Sequence, residues 1–90
     1  MEVVWSPQAI DDVRRINNFI AAENPVAAAR IARELLIAGD SLALFPRRGR
    51  PSRLTGRREL VAVYPYVIVY RILENETVDI LRIWHGAQDR

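Results

Sequence analysis

The chain predicts an α+β domain: a short N-terminal strand, an antiparallel helical hairpin, then a three-stranded antiparallel meander, with the helices on one sheet face. Three observations carry this. Two polar residue–proline pairs, Ser6-Pro7 and Asn24-Pro25, each open an apolar stripe at helical spacing. A breaker-rich segment over residues 46–56 ends the helical pattern. Beyond it lie three runs rich in Val, Ile and Tyr, parted by Pro65 and by the polar turn Glu74-Asn75-Glu76-Thr77. Helices grouped before strands can bury their apolar faces together only by stacking as a helical layer on a sheet.

Residues 1–5 are β-branched and aromatic and read as the first strand. Ser6 then offers a hydroxyl to cap a helix, and Pro7 takes the first helical position, where no N–H is needed. Asp11 and Asp12 suit the positive end of that helix's dipole. Ile10, Val13, Ile16 or Asn17, and Ile20 mark one face, and the pattern ends near Glu23. Asn24-Pro25 repeats the start. Ala28, Ile31, Leu35, Ala38, Leu42 and Phe45 follow at alternating spacings of three and four, a narrow stripe suited to packing on a neighbouring helix. Gly39 interrupts it as a point of kinking or shortening. So short a link makes the two helices an antiparallel hairpin, and both stripes read as core. Pro46 stops the second helix, and the segment after it is a loop. The meander strands are residues 59–64, 66–73 and 78–84, with a turn or bulge at Pro65.

A two-residue turn at Asn75 and Glu76 sets Glu74 opposite Thr77, Val69 opposite Arg82 and Arg71 opposite Ile80. Opposed residues of an antiparallel pair share a face. Ile68, Tyr70, Ile72, Leu81 and Ile83 then face the helices. Val67, Val69, Arg71, Val78, Ile80, Arg82 and Trp84 form the other face, too apolar to stand bare. A partner protein is the expected cover, and a loop or tail of the same chain is the alternative.

Ninety residues make one domain with a modest core. Half the residues are apolar and 27% charged, the composition of a soluble globular protein. The absence of cysteine excludes a disulfide scaffold, Cys-ligated zinc and thiol catalysis, and it fits a reducing cytoplasm. Neither a membrane span nor a signal peptide is expected. The net charge of +2 is unevenly placed. All thirteen basic residues are arginine, and six of them (Arg47, Arg48, Arg50, Arg53, Arg57 and Arg58) fall within residues 47–58, where there is no acid. The remaining seven face eleven acidic residues, a balance of −4. One basic segment on an acidic body attracts nucleic acid or an acidic protein. There is no Gly-rich phosphate loop, no His/Asp/Glu cluster at metal-ligand spacing and no plausible Ser/His/Asp set, so no metal, cofactor or small-molecule substrate is expected.

The stretches "WSPQAIDDVRRINNFI", "ENPVAAARIA", "LFPRRGRP", "RREL", "VIVYRI" and "VDILRIWHGAQ" resemble, in order and spacing over nearly the whole chain, the RelE/ParE superfamily of toxins from bacterial type II toxin–antitoxin modules. The family fold, a helical hairpin on a small antiparallel sheet, agrees with the architecture above. The resemblance implies a cognate antitoxin as partner, in a hetero-oligomer, and no membrane. RelE-like members cut messenger RNA on the ribosome, whereas ParE-like members are understood to poison DNA gyrase.

Metal-free RNA cleavage needs a base for the 2′-hydroxyl, cations for the phosphate and an acid for the leaving oxygen. RelE-type nucleases place basic residues along the first meander strand, just before the "VY" pair, and near the C-terminus. In an ungapped match Arg58 keeps the first place, while Leu60, Val67 and Gln88 occupy the other three. A nuclease reading would therefore rest on Arg58, Arg82 and the lone histidine, His85, since some relatives of that branch use a C-terminal histidine. ParE-like members also commonly carry His after the last strand, where it serves as a strand-end residue. The long helical hairpin and the missing cations resemble the ParE branch more closely. That implies no catalytic residues, target binding by Arg47, Arg48, Arg50, Arg53, Arg57 and Arg58, and antitoxin binding by Val67, Val69, Arg71, Ile80, Arg82 and Trp84 or by the groove beside the hairpin. A ribosome-directed nuclease and a non-toxic, antitoxin-binding remnant are the alternatives.

Overall fold

A computed structural model describes residues 1–86. Its elements run β1 (Glu2–Trp5), α1 (Pro7–Ala21), α2 (Pro25–Asp40), a 3₁₀ turn (Ser41–Ala43), β2 (Arg50–Pro51), β3 (Arg58–Val63), β4 (Tyr66–Ile72) and β5 (Thr77–His85). The strands form one five-stranded sheet in the order β1-β5-β4-β3-β2. The expected meander is its centre. The expected first strand, β1, lies parallel to β5, and the segment read as a loop contributes the short β2, antiparallel to β3.

Both helices begin as the sequence suggests. Ser6 Oγ accepts from the Ala9 amide at 3.1 Å, Asn24 Oδ1 accepts from the Ala27 amide at 3.0 Å, and a proline stands at each first turn. The Ser6 hydroxyl also donates to the Leu81 carbonyl at 2.9 Å, so one side chain caps α1 and ties it to β5. The regular helix α2 stops one residue after Gly39, at Asp40, and so is shorter than its apolar stripe. Gly39 is buried where a Cβ would collide with the Trp5 ring and come within 2.9 Å of Ile80 Cδ1, so the absence of a side chain lets β1 pack against the helix. The helix end precedes Pro46, and Phe45 leaves the stripe to stand 63% exposed.

The core joins Ala9 and Val13 of α1 and Leu35 and Ala38 of α2 to Ile68, Tyr70, Val78, Ile80 and Ile83. Here the expected register needs correction. Val69 does oppose Arg82 and Ile68 opposes Ile83, but the ladder shifts between Val69 and Tyr70, so that Tyr70 opposes Ile80, Arg71 opposes Asp79 and Ile72 opposes Val78. The turn holds three residues rather than two: the Leu73 amide donates to the Thr77 carbonyl at 2.8 Å, and Glu76 takes a positive φ of 60°. A bulge on β5 near Leu81 absorbs the extra residue and restores the expected pairing beyond it. A one-residue slip exchanges the faces of a strand. Val78 and Ile80 therefore belong to the core, each 0% exposed, and the Arg71 guanidinium meets the Asp79 carboxylate at 3.1 Å instead of standing alone.

Candidate functional site

Two places in the molecule concentrate arginine. The first is the junction of α1 with the end of β5. β1 pairs with β5 only as far as Ile80, which leaves the later edge of β5 open, and α1 closes part of it with Asp12. Asp12 Oδ2 accepts from the Ile83 amide at 2.9 Å and from Arg82 Nε at 2.8 Å; Oδ1 accepts from Arg82 Nη2 at 3.1 Å and from Arg15 Nη2 at 2.9 Å. Burial alone would raise the Asp12 pKa, but the Arg82 and Ile83 hydrogen bonds and the charges of Arg82 and Arg15 outweigh it and hold the carboxyl below its ordinary value. The same pairing raises Arg82. A bidentate guanidinium–carboxylate contact is directional as well as strong, so Arg82 is fixed in place. Its guanidinium also lies 5.7 Å from the centroid of Trp84.

Beside this junction is a cleft of about 650 Å³ walled by Arg15, Ile16 and Phe19 of α1 and by Tyr66, Ile83, Trp84 and His85 of the sheet. Phe19 is 82% exposed at its rim. His85, at the end of β5, opposes Tyr66 and meets that ring edge-on with centroids 5.6 Å apart.

The second place is the segment from Pro46 to β3. Its backbone is pinned from within. The Tyr70 hydroxyl, 0% exposed as a residue, donates to the Pro46 carbonyl at 2.7 Å and accepts from the Gly49 amide at 2.9 Å. Burial pushes the Tyr70 hydroxyl pKa up despite the Gly49 bond and the nearby arginines. Arg58 donates to the Gly49 carbonyl at 2.7 Å, so both polar groups of Gly49 are satisfied. Gly49 has no room for a side chain, since a Cβ would come 2.7 Å from the Tyr70 hydroxyl. Farther out, the Ser52 amide donates to the Arg57 carbonyl and Gly56 takes φ 78°, which closes the tip. Arg48 donates to Ser41 Oγ at 3.0 Å, and Arg50 reaches Glu59 at 3.5 Å. Among the described residues the guanidinium groups of Arg47, Arg53 and Arg57 form no ion pair or hydrogen bond, and all three residues are exposed.

The structure does not assemble Arg58, Arg82 and His85. Arg58 opposes Tyr70 while His85 opposes Tyr66, four residues apart along β4, which at a strand rise of ~3.3 Å is about 13 Å, with β4 between their strands. Arg82 is committed to Asp12. Leu60 and Val67 are buried apolar residues, 6% and 3% exposed, and Gln88 lies outside the described residues. The candidate antitoxin face is dispersed as well. Ile80 is core, Arg71 and Arg82 are paired, and Val67 and Val69 are 3% and 5% exposed. Part of their cover is the chain's own basic segment, since Ser52, Arg53, Leu54 and Arg57 close around a small cavity with Val69 and Trp84. Exposed apolar side chains stand beside that face at Leu54, Val61 and Tyr64, and away from it at Phe19, Val26, Ile37, Leu44 and Phe45. Among the described residues no group of three or more His, Cys, Asp or Glu side chains could hold a metal ion, and no helix is long and apolar enough to cross a membrane.

Sequence reasoning missed Asp12, whose only visible signal was its place in the first turns of a helix. It also missed the Tyr70 hydroxyl, the one polar group in the run Val67-Ile68-Val69-Tyr70.

Comparison with known proteins agrees with this architecture. "Toxin RelE2" of Caulobacter vibrioides is 45% identical over 87 residues, spanning 97% of each chain. "Putative toxin Y4kP" of Sinorhizobium fredii is 40% identical over 85 residues, 93% of this chain and 86% of the other. Among solved structures, a chain of the chromosomal ParDE toxin–antitoxin system from P. aeruginosa shares the fold with a TM-score of 0.83, at 24% identity and covering 94% of this chain and 95% of that one. A chain of the RelBE2 toxin–antitoxin complex from Mycobacterium tuberculosis matches with a TM-score of 0.64, at 26% identity and covering 93% and 95%. The family described as the ParE toxin of the type II toxin–antitoxin system parDE matches residues 3–90, and the chain belongs to it.

Proposed function

We propose that this toxin arrests growth by ParE-like inhibition of DNA gyrase, in the cytoplasm, until a cognate antitoxin neutralises it. The observation that carries this reading is the dispersal of the cations that phosphate cleavage would require. Arg82 is bound to Asp12, Arg58 is bound to the Gly49 carbonyl, and His85 stands several residues away along the sheet. Loss of one preorganised cationic contact costs a phosphate-cleaving site about 3–4 kcal/mol of transition-state stabilisation. Binding has no such demand for convergence, and the pinned segment with outward arginines suits it. Guanidinium forks recognise phosphate and carboxylate alike.

The antitoxin segment docks in the cleft between α1 and the end of β5, the groove beside the hairpin. Phe19, Tyr66 and Trp84 supply apolar area there. Such a segment folds on binding.

A RelE-like, ribosome-dependent endoribonuclease is the second reading, favoured by the relatives that carry RelE names. The purified protein is to be tested both in a gyrase supercoiling assay and on translating ribosomes. Inhibited supercoiling or trapped gyrase–DNA cleavage complexes, with intact message, is the expected result. Site-specific cleavage of ribosome-bound message with gyrase unaffected at the same concentration would refute it.

A further inference from the structure

The arginines of residues 47–58 do not form one surface. Arg47 and Arg48 stand beside exposed apolar side chains: Phe45 and Pro46 line a hollow with them, and Leu44 is 80% exposed. Arg53 and Arg57 close with Ser52 and Leu54 over Val69 and Trp84, and of these large apolar side chains only Leu54 is exposed. A protein interface is centred on desolvated aromatic or aliphatic anchors, with charge at its rim. The exposed side of the tip has no aromatic centre of this kind. It has fixed positive charge on a backbone braced by the Ser52–Arg57, Leu54–Arg57 and Ser52–Leu54 hydrogen bonds. Between Asp40 and Glu74 the sole acid in the sequence is Glu59, and its carboxylate already meets Arg50 and Ser52. Glu59 lines the same small cavity as Arg53 and Arg57 but pairs with Arg50, and among the described residues neither tip guanidinium forms an ion pair.

We infer that the Arg53–Arg57 tip is a contact for the phosphodiester backbone of duplex DNA, one that operates without gyrase being present. The choice of duplex DNA over RNA rests on the gyrase reading, because the target enzyme works on such a duplex. The tip carries exposed guanidinium groups and no Asn or Gln amide to read base edges, so the contact fixes position along the backbone and is independent of sequence.

The test is the salt dependence of binding of the whole toxin to a fluorescent duplex of mixed sequence. Two phosphate contacts give a slope of log K against log salt of about −1.8, since each neutralised phosphate on B-form DNA contributes about −0.9. Arg53→Gln with Arg57→Gln should bring that slope close to zero and weaken binding by an order of magnitude or more at 0.1 M salt. Lysine at both positions should restore the slope. As a control, Arg14→Gln with Arg33→Gln removes the same charge from exposed helix positions and should leave the slope in place. A duplex RNA of equal length should bind less tightly. Equal loss from the control pair, equal affinity for RNA, or retention of polyglutamate where DNA does not bind would each overturn the inference. Because gyrase is absent, a failure here is separate from failure to inhibit supercoiling, and either can occur alone.

Discussion

Arg82 and Arg57 are the same side chain in opposite circumstances. Arg82 lies against a carboxylate that is 5% exposed, held by two hydrogen bonds, at the point where a helix meets an open sheet edge. Arg57 sits on a closed tip, and among the described residues its guanidinium has no partner. The lesson is that a partner decides an arginine's work. A cation already bound to a buried anion holds the fold together, and freeing it for a ligand would leave that anion uncompensated. A cation held out on a braced backbone has no such obligation. A reading of the sequence that ranks the two by charge alone treats them as equals.

The largest effect should come from breaking the first region. Asp12→Ala leaves the Ile83 amide unpaired and Arg82 without its anion, and should destabilise the protein by about 2–4 kcal/mol in chemical denaturation. For a domain this small that is a shift of roughly 10 °C or more in Tm. Its pH signature has a definite sign. The folded Asp12 carboxyl lies below its ordinary value of 3.8, so the unfolded chain takes up the proton first. The junction contributes fully above about pH 4 and its contribution is lost as pH falls through the lower folded value. Acid unfolding should therefore be shallower in Asp12→Asn than in the wild type.

A smaller effect is expected where the core grips the basic segment. Tyr70→Phe keeps the ring but orphans the buried Gly49 amide and the Pro46 carbonyl, a cost of about 1–3 kcal/mol. It should also raise hydrogen exchange at Gly49 and weaken target engagement, because the arginines lose their fixed platform. Smaller still in stability is reversal of charge at Arg57. Its Tm should move by no more than a degree or two, while gyrase inhibition weakens and becomes less sensitive to salt. At the bottom of the scale, His85→Gln should leave growth inhibition intact. A general acid at that position would instead cost about 10²–10⁴-fold in cleavage rate, read on ribosome-bound message.

Much of the fold was legible because its signals are local. Ser6-Pro7 and Asn24-Pro25 state their helix starts within two residues, and the apolar runs of β4 and β5 state their strands. The register was not legible. A two-residue and a three-residue turn can both be built from Glu74-Asn75-Glu76, and the bulge near Leu81 that reconciles them follows from packing against the helices. That one residue moved Val78 and Ile80 from the outer face to the core and removed most of the apolar surface thought to need a partner. Asp12 was hidden for a different reason. Its partners Arg82 and Ile83 are 70 and 71 residues away, and a long-range ion pair leaves no periodic trace. The basic segment was visible as charge, but its bracing by Tyr70 and Gly49 depends on β4 running beneath it. The β1–β5 pairing was missed because a parallel neighbour 75 residues distant, Glu2 beside Thr77, has no turn to announce it.

The division between holding and binding arginines is tested most directly by one paired measurement, the Tm and the gyrase-inhibiting potency per folded molecule of Arg82→Gln set against Arg53→Gln/Arg57→Gln. Arg82→Gln should lose several degrees of Tm and keep its potency once corrected for the folded fraction. The tip variant should keep its Tm and lose at least tenfold in potency. Potency lost in Arg82→Gln at full stability, with the tip variant as active as the wild type, would contradict the division and return Arg82 to the functional site.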